Sequence, residues 1–262
     1  MIRALYTAAS GMSAQQANLD TVANNLANSA TAGFRRRRLQ FEDMIYQNMI
    51  TPGSPQSQQT TSAGLQIGLG TRSSATEVVM TQGDYNQTSN TYDLAIQGNG
   101  FFQITRPDGT IAYTRAGNFH PTNQGQLVTA DGDPLIPSIT IPPNAQNVTI
   151  SQYGVVSGTI PGQSAAAQFG TIQLANFANP GGLLSLGGNL FAQTDASGVP
   201  ITDNPGGNTG IGTLQQGYLE GSNVDVVTEF VQMILAQRAY ESNSKVVHVA
   251  DDMYSQINGL VR

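Results

Sequence analysis

The chain has 262 residues and no cysteine; 39% of its residues are hydrophobic, only 11% are charged, and the net charge is −6. Soluble proteins average about 25% charged residues, so Gln, Asn, Ser, Thr and Gly carry the polarity, and weak mutual repulsion leaves room for self-association. The composition excludes a disulfide framework or thiolate metal site, and patterned apolar content excludes disorder throughout.

Residues 1–10 superficially resemble a signal peptide, but the apolar run is weak and passes into an amphipathic, Gln- and Asn-rich segment. They read as mature structure, so that any route out of the cytoplasm would be one that cleaves nothing. Leu5, Met12, Leu19 and Leu26 stand seven apart, and Ile2, Ala9 and Ala23 precede three of them by three residues. That spacing predicts a helix with an a/d seam in which Gln16 is the polar member. Gly11 weakens the helix by about 1 kcal/mol relative to Ala. Small and turn-forming residues from Ser29 to Gly33 stop it, with Gly33 suited to a positive φ.

The run Arg35–Arg38 follows. It reads as a solvated or intersubunit basic patch beyond a helix C-terminus, with nucleic acid or anionic lipid as the competing partners. The +4 of residues 1–38 complements the −2 of residues 222–262. No Lys or Arg stands between Arg115 and Arg238, so the body of the chain lacks the clustered cations that nucleic acid requires. The stretch from Tyr46 to Gly70, with its Pro-, Gln-, Ser- and Thr-rich part at 51–64, reads as an extended linker or long loop.

From Thr71 to about Tyr218 the pattern is β. Tyr92, Leu94 and Ile96 alternate with smaller or polar neighbours, as do Ile139 with Ile141 and Val148 with Ile150. Turn signals recur at Asn99-Gly100, Asp108-Gly109, Gly117-Asn118, Gln124-Gly125 and Asp131-Gly132. Gly98-Asn99-Gly100 predicts a hairpin turn, His120 before Pro121 predicts a turn, and 178–213 reads as long surface loops. The C-terminal segment is helical again. Val226, Met233, Tyr240, Val247, Tyr254 and Val261 form a seven-residue stripe, flanked by Ala236, Ala250 and Ile257 and interrupted by Asn243. Ser222 or Asn223 is the expected cap, with Asp225 and Glu229 near the positive end of the helix dipole. No window approaches 18 consecutive apolar residues, so no transmembrane helix is expected.

The fold class is therefore mixed α and β: long terminal helices pairing as a coiled coil, with a central antiparallel β-rich domain. The expected boundaries are 1–34 with 223–262 for the helices, 35–70 for an extended or β linker domain and 71–222 for an outer β-rich domain. Leu5, Met12, Leu19, Leu26, Val226, Met233, Tyr240, Val247, Tyr254 and Val261 are the candidate polymer interface, pairing the helices with each other and with neighbouring subunits, the alternative being that both helices pack on the chain's own body. A strict seven-residue repeat implies supercoiling against a partner.

Little suggests chemistry. The two histidines, His120 and His248, form no His-x-x-x-His pair. Asp131-Gly132-Asp133 lacks the remaining positions of a calcium loop, and there is no Walker loop or nucleophile elbow. No catalytic residue, metal ligand or cofactor is expected.

Residues 23–34, which include Asn24, Asn25, Asn28, Gly33 and Phe34, resemble the N-terminal signature of flagellar axial proteins. Residues 237–245, with Arg238, Tyr240 and Asn243, resemble the C-terminal signature of the same family. Residues 93–102 and 113–119 are similar to rod and hook chains, and 65–72 and 216–224 are most similar to the distal rod members. The run of four Arg after Phe34 is more basic than the family pattern. The resemblance implies a structural, non-enzymatic subunit of the distal rod, with a proximal rod or hook subunit as the alternative. It implies a helical homopolymer spanning the periplasm and export through the flagellar type III apparatus. The implied neighbours are proximal rod proteins, the hook protein, and the peptidoglycan and outer-membrane ring proteins.

Overall fold

The computed structural model describes residues 2–51, 55–56, 59–60, 64–162, 165–207 and 209–260. The chain divides into two compact units, one of residues 1–27, 37–77 and 225–262, the other of residues 28–36 and 78–224. Two helices bracket the chain, α1 (Ile2–Ala27) and α2 (Val226–Leu260). Among the described residues, neither is long and apolar enough to cross a membrane.

In the first unit α1 and α2 pack against each other. The buried positions of α2 include Glu229, Ala236 and Ala250, with Met233, Asn243, Val247 and Tyr254 half-buried between them. These follow one another by three or four residues, the spacing of an a/d seam, except across Tyr240, which is exposed. On α1 the deepest side chains are Ala8, Ala14, Val22 and Asn25. Leu5, Met12, Leu19 and Leu26 are only half-buried, and Ala9, Gln16 and Ala23 face outward. The expected α1 seam is thus rotated: small and polar residues, not the largest apolar ones, take the close approach. The side chains of Ile2 and Ile257, and Val261 altogether, lie outside the described residues.

Two-stranded ribbons complete this unit. Arg37–Asp43 pairs with Thr71–Val78, and Tyr46–Ile50 pairs with Leu65–Gly68. Pro55–Gln56 pairs with Gln59–Thr60, while the rest of the Pro- and Gln-rich stretch, 52–54, 57–58 and 61–63, lies outside the described residues.

The second unit is built on a seven-stranded antiparallel sheet. Its path runs Leu184–Gly187, Leu190–Ala192, Ile111–Thr114, Phe101–Thr105, Leu174–Asn176, Ile201–Asp203, and Leu135–Ile136 adds to Phe101–Thr105. The two-residue period of a strand sends alternate side chains to opposite faces. Phe102 and Ile104 therefore enter the main core with Leu94, Ile96, Phe119, Leu127, Leu135, Ile172 and Leu174. Phe101 enters a smaller cluster with Tyr113, Phe177, Leu183 and Phe191, where Tyr113 meets Phe177 edge-on at 4.8 Å. Each large apolar side chain fully buried this way contributes about 1.5–3 kcal/mol. A three-stranded sheet of Gln146–Ile150, Val155–Thr159 and Ala167–Thr171 adds Val148, Ile150 and Val156 to the main core.

Three local expectations are corrected. The region 178–213 contains the strands Leu184–Gly187, Leu190–Ala192 and Ile201–Asp203; its glycines sit at the turns between short edge strands, which gives it a loop-like composition. Gly98-Asn99-Gly100 joins two strands that pair elsewhere, Leu94–Gln97 with Thr213–Gln216 and Phe101–Thr105 within the large sheet, so it is a crossover turn and not a hairpin. His120 and Pro121 form a short strand against Leu127–Val128, and the turn follows them.

Candidate polymer interface and the clusters that support it

The helix pair buries one face of α2 and leaves another bare. At 3.6 residues per turn, Val227, Val231 and Ile234 lie about half a turn from Glu229, Met233 and Ala236. All three are exposed, Val227 at 71% and Ile234 at 55%, and Phe230 and Leu235 flank them, Leu235 at 63%. Further along, Val246, Val249 and Met253 are exposed beside Ala4 around an apolar groove of about 250 Å³. The ribbons add exposed Phe41, Met44, Ile45, Met49 and Leu65. The α2 stripe is contiguous by helix geometry, and monomeric soluble proteins rarely leave such apolar surface uncovered. Sequence reasoning missed this second stripe because it followed one seven-residue register; counting the apolar residues at 227, 230, 231, 234 and 235 as a separate face would have found it.

The structure places the other sequence-singled residues unevenly. Met233, Val247 and Tyr254 are half-buried on the α1 side, while Tyr240 and Val226 are each 39% exposed. Arg238 is exposed and pairs with Glu241 at 3.0 Å on its own helix. Asn243 lies against Gly11, where an added Cβ would come within 2.8 Å of the Asn243 Nδ2. Glycine there lets the two helices approach.

Asn25 is a buried clasp. Its Oδ1 accepts the Arg37 N–H at 2.8 Å and its Nδ2 donates to the Arg37 carbonyl at 2.8 Å, so the amide mimics a strand partner. The same Nδ2 donates to Glu229 Oε2 at 3.1 Å, which ties α1, the Arg37–Asp43 strand and α2 together. Asp225, not Ser222 or Asn223, caps α2: its carboxylate accepts from Val227 N and Thr228 Oγ1. These hydrogen bonds hold its pKa below the ordinary Asp range, that from Thr228 most strongly. Asn223 serves the second unit, accepting from Arg36 N and donating to the Val79 and Thr81 carbonyls. Asn28 Oδ1 accepts from Thr31 Oγ1 at 3.3 Å, and Phe34 is half-buried in the turn that follows.

The Arg35–Arg38 run is not a uniform solvated patch. Arg35 is buried, donating from Nη2 to Glu220 Oε1 at 2.6 Å. Glu220 also accepts from Gly83 N, and Arg115 Nε lies 3.2 Å from its Oε2. Arg115 donates its Nη1 and Nη2 to the Gly100 and Gly98 carbonyls. Burial pushes the Arg115 pKa down to about 10, against the opposing pull of the Glu220 charge. Gly33 lets the chain enter this cluster: it has φ +70, its N–H donates to the Glu220 carbonyl, and a Cβ would lie 2.6 Å from Ala116 N. Arg38 instead sits in the open and pairs with Glu77 at 2.7 Å. The acidic partners of Arg35 and Arg38 both fall within 71–222. Among the described residues no group of three or more His, Asp or Glu side chains could hold a metal ion.

Three family models match along the chain: flagella basal body rod protein at residues 5–35, flagellar hook protein FlgE/F/G D1 domain at 95–158, and flagellar basal body rod FlgEFG protein C-terminal at 215–260. The flagellar basal-body rod protein FlgG of Buchnera aphidicola subsp. Schizaphis graminum is 49% identical over 99% of this chain and 100% of its own length. That of Caulobacter vibrioides is 48% identical over 96% of this chain and 97% of its own. That of Bacillus subtilis is 39% identical over the full length of both. The two terminal matches cover the motifs around Asn25 and Asn243, and the middle match covers Arg115. The chain belongs to the FlgG family of flagellar basal-body rod proteins.

Proposed function

We propose that this chain is the structural subunit of the distal flagellar rod, polymerising into a tube that transmits torque from the motor to the hook. The family is structural and not enzymatic, and its place is the flagellar basal body. The observation that carries the polymer reading is the bare apolar face of α2 at Val227, Val231 and Ile234, opposite the face that packs on α1. In this reading α1 and α2 supercoil as a coiled coil lining the inner tube, residues 35–70 form an arm, and residues 71–222 face outward. The half-buried Leu5, Met12, Leu19, Leu26, Met233, Val247 and Tyr254, with Tyr240 and Val226, hold the pair together, and neighbouring subunits cover the outer stripe. The partners are then further copies of the chain, proximal rod proteins, the hook protein and the rings around a rod that spans the periplasm, reached through the type III export apparatus without signal cleavage.

Purified chain should polymerise above a threshold concentration, measured by sedimentation and electron microscopy. Ile234→Asp would place an unpaired carboxylate in the covered face, which is costly to bury, and should abolish polymers while leaving a folded monomer. Normal polymers from that variant would refute the assignment of the face.

A further inference from the structure

The buried ion cluster of the second unit opens onto a cleft of about 200 Å³ lined by Arg35, Asn99, Arg115, Met80, Phe101 and Phe177. Two guanidiniums share one carboxylate there, so the cluster carries one uncompensated positive charge. Arg115 is spent: its nitrogens go to Gly98, Gly100 and Glu220. Arg35 is not. Its side chain is 1% exposed, Nη2 is held by Glu220, and the buried Nη1 has no hydrogen-bond partner. Buried donors are almost always paired, and each exception calls for an explanation.

We propose that this cleft binds a carboxylate group, which Arg35 Nη1 and the Asn99 amide receive and whose stem rests against Met80, Phe101 and Phe177. A monoanion brings the cluster to neutrality, whereas a dianionic phosphate would set excess negative charge beside Glu220. A carboxylate oxygen also accepts a short, directional hydrogen bond from a charged donor, which a halide matches less well. Two sources share this chemistry: an Asp or Glu side chain of a second copy, and a free small organic acid. The cleft stands without the polymer reading; only the second-copy source rests on it.

The test uses full-length chain kept dilute and monomeric, with nitrogen-labelled arginine, titrated with sodium acetate and with sodium chloride at matched ionic strength. The Arg35 side-chain resonances should shift saturably with acetate in the millimolar range and at least about tenfold more weakly with chloride. Ala178→Trp, placed at the exposed rim of the cleft and away from the ion pairs, should lose the acetate response. A second arm compares the polymerisation threshold in acetate and in chloride. A threshold raised several-fold by acetate, and equally by Ala178→Trp, identifies a neighbouring copy as the source; an unchanged threshold with the shift present identifies a free acid. An Arg35 signal that is silent to acetate, or that responds equally to chloride, overturns the proposal.

Discussion

Gly11 of α1 faces the side chain of Asn243 on α2 so closely that a Cβ at position 11 would stand 2.8 Å from the amide nitrogen. A residue that costs the helix about 1 kcal/mol of propensity is thereby explained by the packing it permits. Gly11→Ala should gain little by itself, because the Asn243 amide must move. In an Asn243→Ala background the propensity gain should appear, giving a coupling of about 0.5 kcal/mol or more in a double-mutant cycle. Thermal melts followed by helical circular dichroism measure it, and additive effects would show that the contact does not limit the approach.

Glu220 should be the most costly charge to remove. Glu220→Gln leaves two buried guanidiniums uncompensated and should destabilise the second unit by about 3 kcal/mol or more. Arg38→Ala, which breaks an exposed pair with Glu77, should leave the denaturation midpoint unchanged. Urea titration of both variants is the measurement, and equal effects would contradict the contrast between buried and exposed pairing.

The start of α2 should be sensitive to acid. Asp225 has a folded pKa below its unfolded value because Thr228 and Val227 donate to its charged form. A depressed carboxylate contributes stability that is present above the unfolded pKa and lost as pH falls through the folded value. Protection of the first-turn amides, corrected for intrinsic exchange, should therefore fall in acid, and Asp225→Asn should flatten that dependence. An unaltered profile in the variant would assign the acid sensitivity elsewhere.

The two terminal helices were legible in the sequence, as was the alternation at Leu94, Ile96, Ile139, Ile141, Val148 and Ile150, where period and burial coincide. The α1 seam was misjudged because the largest apolar residues were assumed to go deepest, whereas close helix approach favours Ala8, Ala14 and Gly11. Arg35 could not be separated from its basic neighbours, since its partner Glu220 lies 185 residues away. Asn223 looked like a cap from its type and place, yet its amide is used by residues 36, 79 and 81. Long-range pairing leaves no local signal, so these roles appear only in the folded chain.

The two faces of α2 should respond differently to one kind of change. Met233→Asp enters the half-buried seam and should loosen α1 from α2 even in the monomer, lowering its helical content. Ile234→Asp, one residue on, should leave the monomer's spectrum and melting unchanged because that side chain is already exposed. Helical circular dichroism of dilute protein distinguishes them, and similar losses in both would mean that both faces serve the intramolecular pair.

The absence of native cysteine permits a direct test of the outer stripe of α2. In an Ile234→Cys variant the thiol should react freely with a maleimide in dilute monomer. In assembled rods it should become protected by about tenfold or more, as expected for a position covered by a neighbouring subunit. Equal labelling in monomer and rod would contradict the claim that this face joins the subunits.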